Sequence, residues 1–192
     1  MKKDRGLKSV ILIFFLAVLA VGLYYRLSNK SVGKSEEEVP VKVTEVQRVL
    51  SRNLTTTYPP TPKEVVKYFS EITQCFYNEK FESDEELEKL ANQMLLLYDT
   101  ELVNYKTHDD YMLDLKSDIA FYNANGYTIS SFAPSASTDV ETFEEDGFEW
   151  ARLWCMYTIK SGKYYKQLNE VFILRKDENS HWKIYGWEEV DG

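Results

Sequence analysis

The feature that most constrains this chain is a change of hydrophobic period at Gly126. Before it, apolar residues recur every three to four positions, as on one face of a helix; after it they alternate, and β-branched and aromatic residues take over. A helical half followed by a strand half lacks the βαβ alternation that builds a parallel sheet. It predicts an α+β domain, with helices laid on one face of a curved antiparallel sheet.

Three helices are signalled before the switch. Thr61, Pro62 and Glu64 form a cap, a first-turn proline and a capping box, followed by a stripe of Val65, Phe69, Ile72 and Phe76. Ser83 and Glu86 repeat the box ahead of Leu87, Leu90, Ala91, Met94 and Tyr98. Thr107 caps the third helix, Asp109 and Asp110 sit at its positive end, and Tyr111, Leu115, Ile119 and Tyr122 form its stripe up to Gly126. A shorter amphipathic segment within residues 41–54 carries Val43, Val46, Val49 and Leu50.

After Gly126, residues 127–132 and 138–143 read as strand material interrupted by Pro134, and Asp146-Gly147 is a two-residue hairpin signal. Residues 148–159, 164–175 and 182–187 are the remaining strands, separated by Ser161-Gly162 and a polar turn over 177–180. The longest strand puts Phe148, Trp150, Trp154 and Met156 on one face and Leu153, Cys155, Tyr157 and Ile159 on the other, so neither face reads as simply wet.

The first 30 residues hold six Lys or Arg against Asp4 alone, so of the total charge of −8 the rest of the chain carries −13. Such an acidic body repels phosphate backbones, and nucleic acid is excluded as a partner. Residues 1–9 read as a cytoplasmic positive segment, with Lys2, Lys3, Arg5 and Lys8. The uncharged run over 10–25, extended to 10–27, reads as a transmembrane anchor, with a cleaved signal peptide as the rival reading. Residues 28–40 read as a flexible tether. These readings place residues 41–192 in a single extracytoplasmic domain at the cell membrane, on a single-pass protein.

The helices, then the strands ending in His181-Trp182-Lys183-Ile184-Tyr185-Gly186-Trp187, resemble nuclear-transport-factor-2-like domains, the cystatin-like cone superfamily, over about residues 60–190. Within it, Tyr58-Pro59-Pro60-Thr61-Pro62-Lys63-Glu64-Val65-Val66 and Gly147-Phe148-Glu149-Trp150-Ala151-Arg152-Leu153 resemble a group of exported, membrane-anchored bacterial domains with no agreed activity. The resemblance implies a cone-shaped domain with a pocket between helices and concave sheet, sometimes catalytic and often only binding. Isomerase and dehydratase members place a carboxylate or histidine in that pocket; no such motif is matched residue by residue here.

Among single residues, Arg152 is a fixed charge between Trp150 and Trp154 on one strand face, suited to gripping an anion or to lying over indole, with Glu149 and Glu170 as its expected partners. Tyr122, Tyr157, Phe172 and Trp187 are the aromatics expected to line a pocket. Trp150 and Trp154 are a candidate homodimer face. Cys75 and Cys155 read as two buried thiols, or as one disulfide if the domain lies in an oxidising compartment. His108 and His181 have no second histidine at ligand spacing, and the acidic cluster Glu141, Glu144, Glu145, Asp146 and Glu149 reads as a solvated hairpin tip, so neither a metal nor a cofactor is expected. The functional expectation is a non-enzymatic module that binds a small molecule or a protein, with an isomerase- or dehydratase-type enzyme using a carboxylate base as the alternative.

Overall fold

The computed structural model describes residues 43–190. The basic segment, apolar run and tether expected at the N-terminus lie outside the described residues. Within them, no helix is long and apolar enough to cross a membrane.

The described residues form an α+β domain. Five α-helices come first: α1 (Glu45–Leu50), α2 (Pro62–Asn78), α3 (Asp84–Leu95), α4 (Thr100–Val103) and α5 (His108–Asn125). Five strands follow: β1 (Tyr127–Pro134), β2 (Glu141–Glu145), β3 (Phe148–Ser161), β4 (Tyr164–Lys176) and β5 (Trp182–Val190). All strand pairs are antiparallel, in the order β1-β3-β4-β5, and β2 shares the β1 edge of β3 farther toward its start.

The local reasons are those the sequence signals. Thr61, Ser83 and Thr107 each accept a backbone N–H from the third residue of their helix, and Gly126 closes α5 in the left-handed region at φ 63°. Asp146 and Gly147 both have positive φ, 52° and 78°, as a type I′ hairpin turn requires. Not legible were the four-residue α4, a single 3-10 turn over Ser137–Asp139 where strand was expected, an irregularity of the β4–β5 pair between Ile173 and Leu174, and a β1 bulge between Ile129 and Ser131. Asn78 of α2 supports the strand beside that bulge, because its side chain both donates to the Ile129 carbonyl and accepts the Ile129 N–H, at 2.8 Å each.

The core lies between α2 and the inner face of the sheet. Val65, Phe69, Ile72 and Phe76 are buried against Ala151, Leu153, Cys155 and Tyr157 of β3, Phe172 and Leu174 of β4, and Ile184 of β5. Phe69 meets Phe172 edge-on at 5.2 Å between ring centroids.

The free edge of β5 is covered by the segment linking α3 to α4. Ile184 donates to the Leu97 carbonyl and Asp99 donates to the Ile184 carbonyl, both at 2.8 Å, which makes a parallel bridge where an open edge would invite another chain. Asp99 is 4% exposed and holds Arg175 of β4 through two bonds of 3.0 and 2.6 Å. The guanidinium is flanked by the rings of Phe148, Tyr185 and Trp150. Removal of Asp99 takes two of the bonds on the guanidinium and leaves it only the exposed Glu101 at 2.8 Å. Asp99→Ala, which also removes the α4 cap, is therefore expected to lower the unfolding free energy by about 2–4 kcal/mol in urea titrations. A loss below about 1 kcal/mol would place the pair with ordinary surface ion pairs.

A pocket between the helices and the inner sheet face

On the inner face of β4, alternate residues run Leu168, Glu170, Phe172 and Leu174, paired with Tyr157, Cys155, Leu153 and Ala151 of β3. Phe172 and Leu174 are covered by α2. Toward the other end of the strand the helices stand off, leaving a cavity of about 460 Å³ between the sheet, α2, α3, α4 and α5. That is the size of small-molecule sites. The cavity explains a departure from simple helix packing. Tyr111, Ile119 and Tyr122 of the α5 stripe are only half-buried, and Leu115 alone is fully so, because the stripe faces the cavity rather than a packed core.

The lining is aromatic. Tyr77 and Tyr122 stack at 3.9 Å with 17° between planes, Trp187 lies 5.2 Å from Phe69 and 5.6 Å from Tyr98, and Tyr111 and Tyr157 complete the phenols. Tyr157 is fixed from below. Ser70 spends its only proton on the Val66 carbonyl at 2.8 Å, so the Tyr157 hydroxyl donates to Ser70 Oγ at 2.7 Å. Burial raises the pKa values of these phenols, so all remain protonated, with Tyr111 pushed up to about 12.

Glu170 is the exception to this apolar lining. Among the described residues neither a cation nor a hydrogen-bond donor reaches its carboxylate. Burial, and secondarily the negative charge of Glu189 on the neighbouring strand, push its pKa up to about 7. The rim carries Lys106, already paired with Asp114 at 2.5 Å, then His108, whose Nε2 lies 3.1 Å from Asn92 Oδ1, and Asp118.

Of the residues singled out in the sequence, Tyr122, Tyr157 and Trp187 line this pocket. Phe172 does not; it is fully buried one position deeper and stacks on Trp187 at 6.1 Å. Arg152 lies on the opposite face of the sheet, because side chains alternate along β3. There it is bound to Glu141 on β2, not to Glu149, which pairs with Lys176, nor to Glu170, which points into the pocket. Its guanidinium sits 5.7 Å from the Trp154 ring, the stacking alternative. Trp154 is 38% exposed on that outer face; Trp150 is half-buried and donates its indole N–H to the Glu145 carbonyl. Cys75 and Cys155 are both buried free thiols, and burial raises both pKa values.

Glu170 itself was legible as a pocket residue, since period two places it on one face with Leu168, Phe172 and Leu174. Tyr98 and Tyr111 read from the sequence only as helix-stripe residues, and Tyr77 lies off the α2 stripe, where no periodic signal marks it.

These features define a small α+β domain enclosing an aromatic pocket, with the half-buried acid Glu170 unpaired among the described residues. The chain belongs to the domain of unknown function family DUF6715, whose model matches residues 1–187. No curated protein matches it.

The raised pKa of Glu170 is also a stability statement. The folded state keeps the proton up to about pH 7, while the unfolded chain releases it near the ordinary 4.5, so this group's contribution is lost as pH rises through that window. Glu170→Gln should match wild type near pH 4.5 and exceed it by on the order of 3 kcal/mol at neutral to mildly alkaline pH, as measured by denaturant unfolding. A difference that does not change with pH would contradict this.

Proposed function

We propose that this domain is a non-enzymatic module that takes up a small apolar molecule in the pocket between its helices and sheet, and that residues 10–27 hold it outside a membrane. The observation that carries the first part is the 460 Å³ cavity with its aromatic lining, since a water-filled hollow of that size is costly unless a ligand uses it. The helices-then-strands order and the position of the cavity support the nuclear-transport-factor-2-like, cone-shaped reading. The uncharged run behind Lys2, Lys3, Arg5 and Lys8 supports the anchored, extracytoplasmic reading.

The pocket reading is tested with N-phenyl-1-naphthylamine, a neutral probe whose fluorescence rises in apolar surroundings. Saturable binding near one equivalent is expected, and Leu168→Trp, which fills the pocket from the β4 side, should weaken it by about tenfold or more while unfolding remains cooperative. Binding unaffected by Leu168→Trp would place the probe elsewhere and overturn the reading.

The anchor is tested by cell fractionation. The full chain should stay with membranes through alkaline carbonate extraction, and a chain lacking residues 1–30 should be released. Release of the full chain by that treatment would contradict a spanning segment.

One observation favours a second reading. A carboxylate with pKa near 7 in an apolar cavity is poised as a general base, which suits isomerase- or dehydratase-type proton abstraction beside a carbonyl. Conversion of cyclohex-3-enone to its conjugated isomer, abolished in Glu170→Gln, would establish this reading over the binding module.

A further inference from the structure

The pocket's lining and its charges together select one chemical class of ligand, an inference that rests on the binding reading above. The rings facing the cavity include Tyr77, Tyr98, Tyr111, Tyr122 and Trp187, and the faces of phenol and indole carry negative potential. The charged groups reinforce that sign. Glu170 projects from β4 among these rings, and Glu189 lies beside it on β5. On α5, Asp114 is neutralised by Lys106, which leaves Asp118 facing the same space. From β3 only Tyr157 and Cys155 face Glu170, both uncharged, and His108 at the rim sits against Asn92. Glu189 itself has Lys166 only at 3.9 Å, with both side chains largely exposed.

A carboxylate left without a counterion in an apolar cavity costs folding free energy, which a ligand of opposite charge can return on binding. An anionic ligand would meet Glu170, Asp118 and Glu189 with only the committed Lys106 in reach. A neutral apolar ligand would leave the carboxylate as it is. We infer that the pocket binds an apolar organic cation, an amine or quaternary ammonium, with its charged head against Glu170 and packed among the faces of Tyr77, Tyr98, Tyr122 and Trp187.

The inference predicts a pH dependence with a definite sign. Below about pH 7 Glu170 holds a proton, so the cation must displace it; above that pH the carboxylate is already charged and binding strengthens. A quaternary ammonium carries no titrating proton of its own, so its pH profile reports the site.

The experiment is displacement of N-phenyl-1-naphthylamine from the wild-type domain by benzyltrimethylammonium, by its neutral carbon isostere neopentylbenzene, and by phenylacetate. The ammonium should compete at about tenfold or more lower concentration than the isostere at about pH 8, the value of a desolvated cation–aromatic contact plus an ion pair. That advantage should shrink severalfold at about pH 5.5, and phenylacetate should compete worst. Glu170→Gln should keep the probe and the isostere while losing most of the ammonium's advantage. Equal competition by cation and isostere, better competition by phenylacetate, or an advantage undiminished in Glu170→Gln would each overturn the cation inference and leave the pocket reading standing. Failure of the probe itself to bind would remove the pocket reading first. Direct calorimetric titration with the ammonium then decides the cation inference on its own, heat of saturable binding supporting it and its absence overturning it.

Discussion

The packing of α2 across the inner face of the sheet is the constraint on which the rest depends. Phe69 bridges Phe172 and Trp187 at centroid distances of 5.2 Å each, and Ser70, Gln74 and Asn78 tie the same helix to Tyr157 and Ile129. These contacts fix how far the helix stands from the strands. Where the facing side chains are large and α2 is close, the result is a dry core around Ile72, Leu153 and Phe172. Where the partner is α5, whose inner stripe consists of Tyr111, Leu115 and Tyr122, the same spacing leaves a cavity. Core and pocket are thus two ends of one interface.

That continuity explains why an acid sits where it does. Period two along β4 commits residue 170 to the inner face whatever its side chain, and at that register the face opens into the cavity instead of the core. A glutamate two positions on, in place of Phe172, would have no space and no water. At 170 it retains access to the cavity, and its proton affinity rises without the fold being lost. The second buried acid, Asp99, shows the contrasting solution: it is paired twice with Arg175 and caps α4, which makes it part of the scaffold.

The architecture was legible in the sequence because its signals are local. The caps at Thr61, Ser83 and Thr107, Gly126 as a stop and the Asp146-Gly147 turn each act within a few residues, and each is found where the local chemistry puts it, although neither Glu64 nor Glu86 closes the capping box expected of it. What was not legible depends on distant pairings. The bridge from the segment before α4 to Ile184, and the Asp99–Arg175 pair, join residues 76 to 87 positions apart. Arg152 is a paired strand charge over Trp154, but its partner was not legible for the same reason: Glu141 is set by how β2 registers on β3. The site was half legible. Tyr122, Tyr157 and Trp187 were named because they lie on converging elements, whereas Phe172 differs from them only in depth, which periodicity does not encode.

The helices and sheet enclose an aromatic cavity in which the half-buried carboxylate of Glu170 has no counterion among the described residues. Side-chain carbon NMR of Glu170, assigned by comparison with Glu170→Gln, measures this most directly. A titration midpoint near 7 is expected, accompanied by pH-dependent shifts of the Tyr77, Tyr122 and Trp187 ring signals. A midpoint near the ordinary 4.5, with those rings unmoved, would mean that Glu170 stands in water and would contradict it.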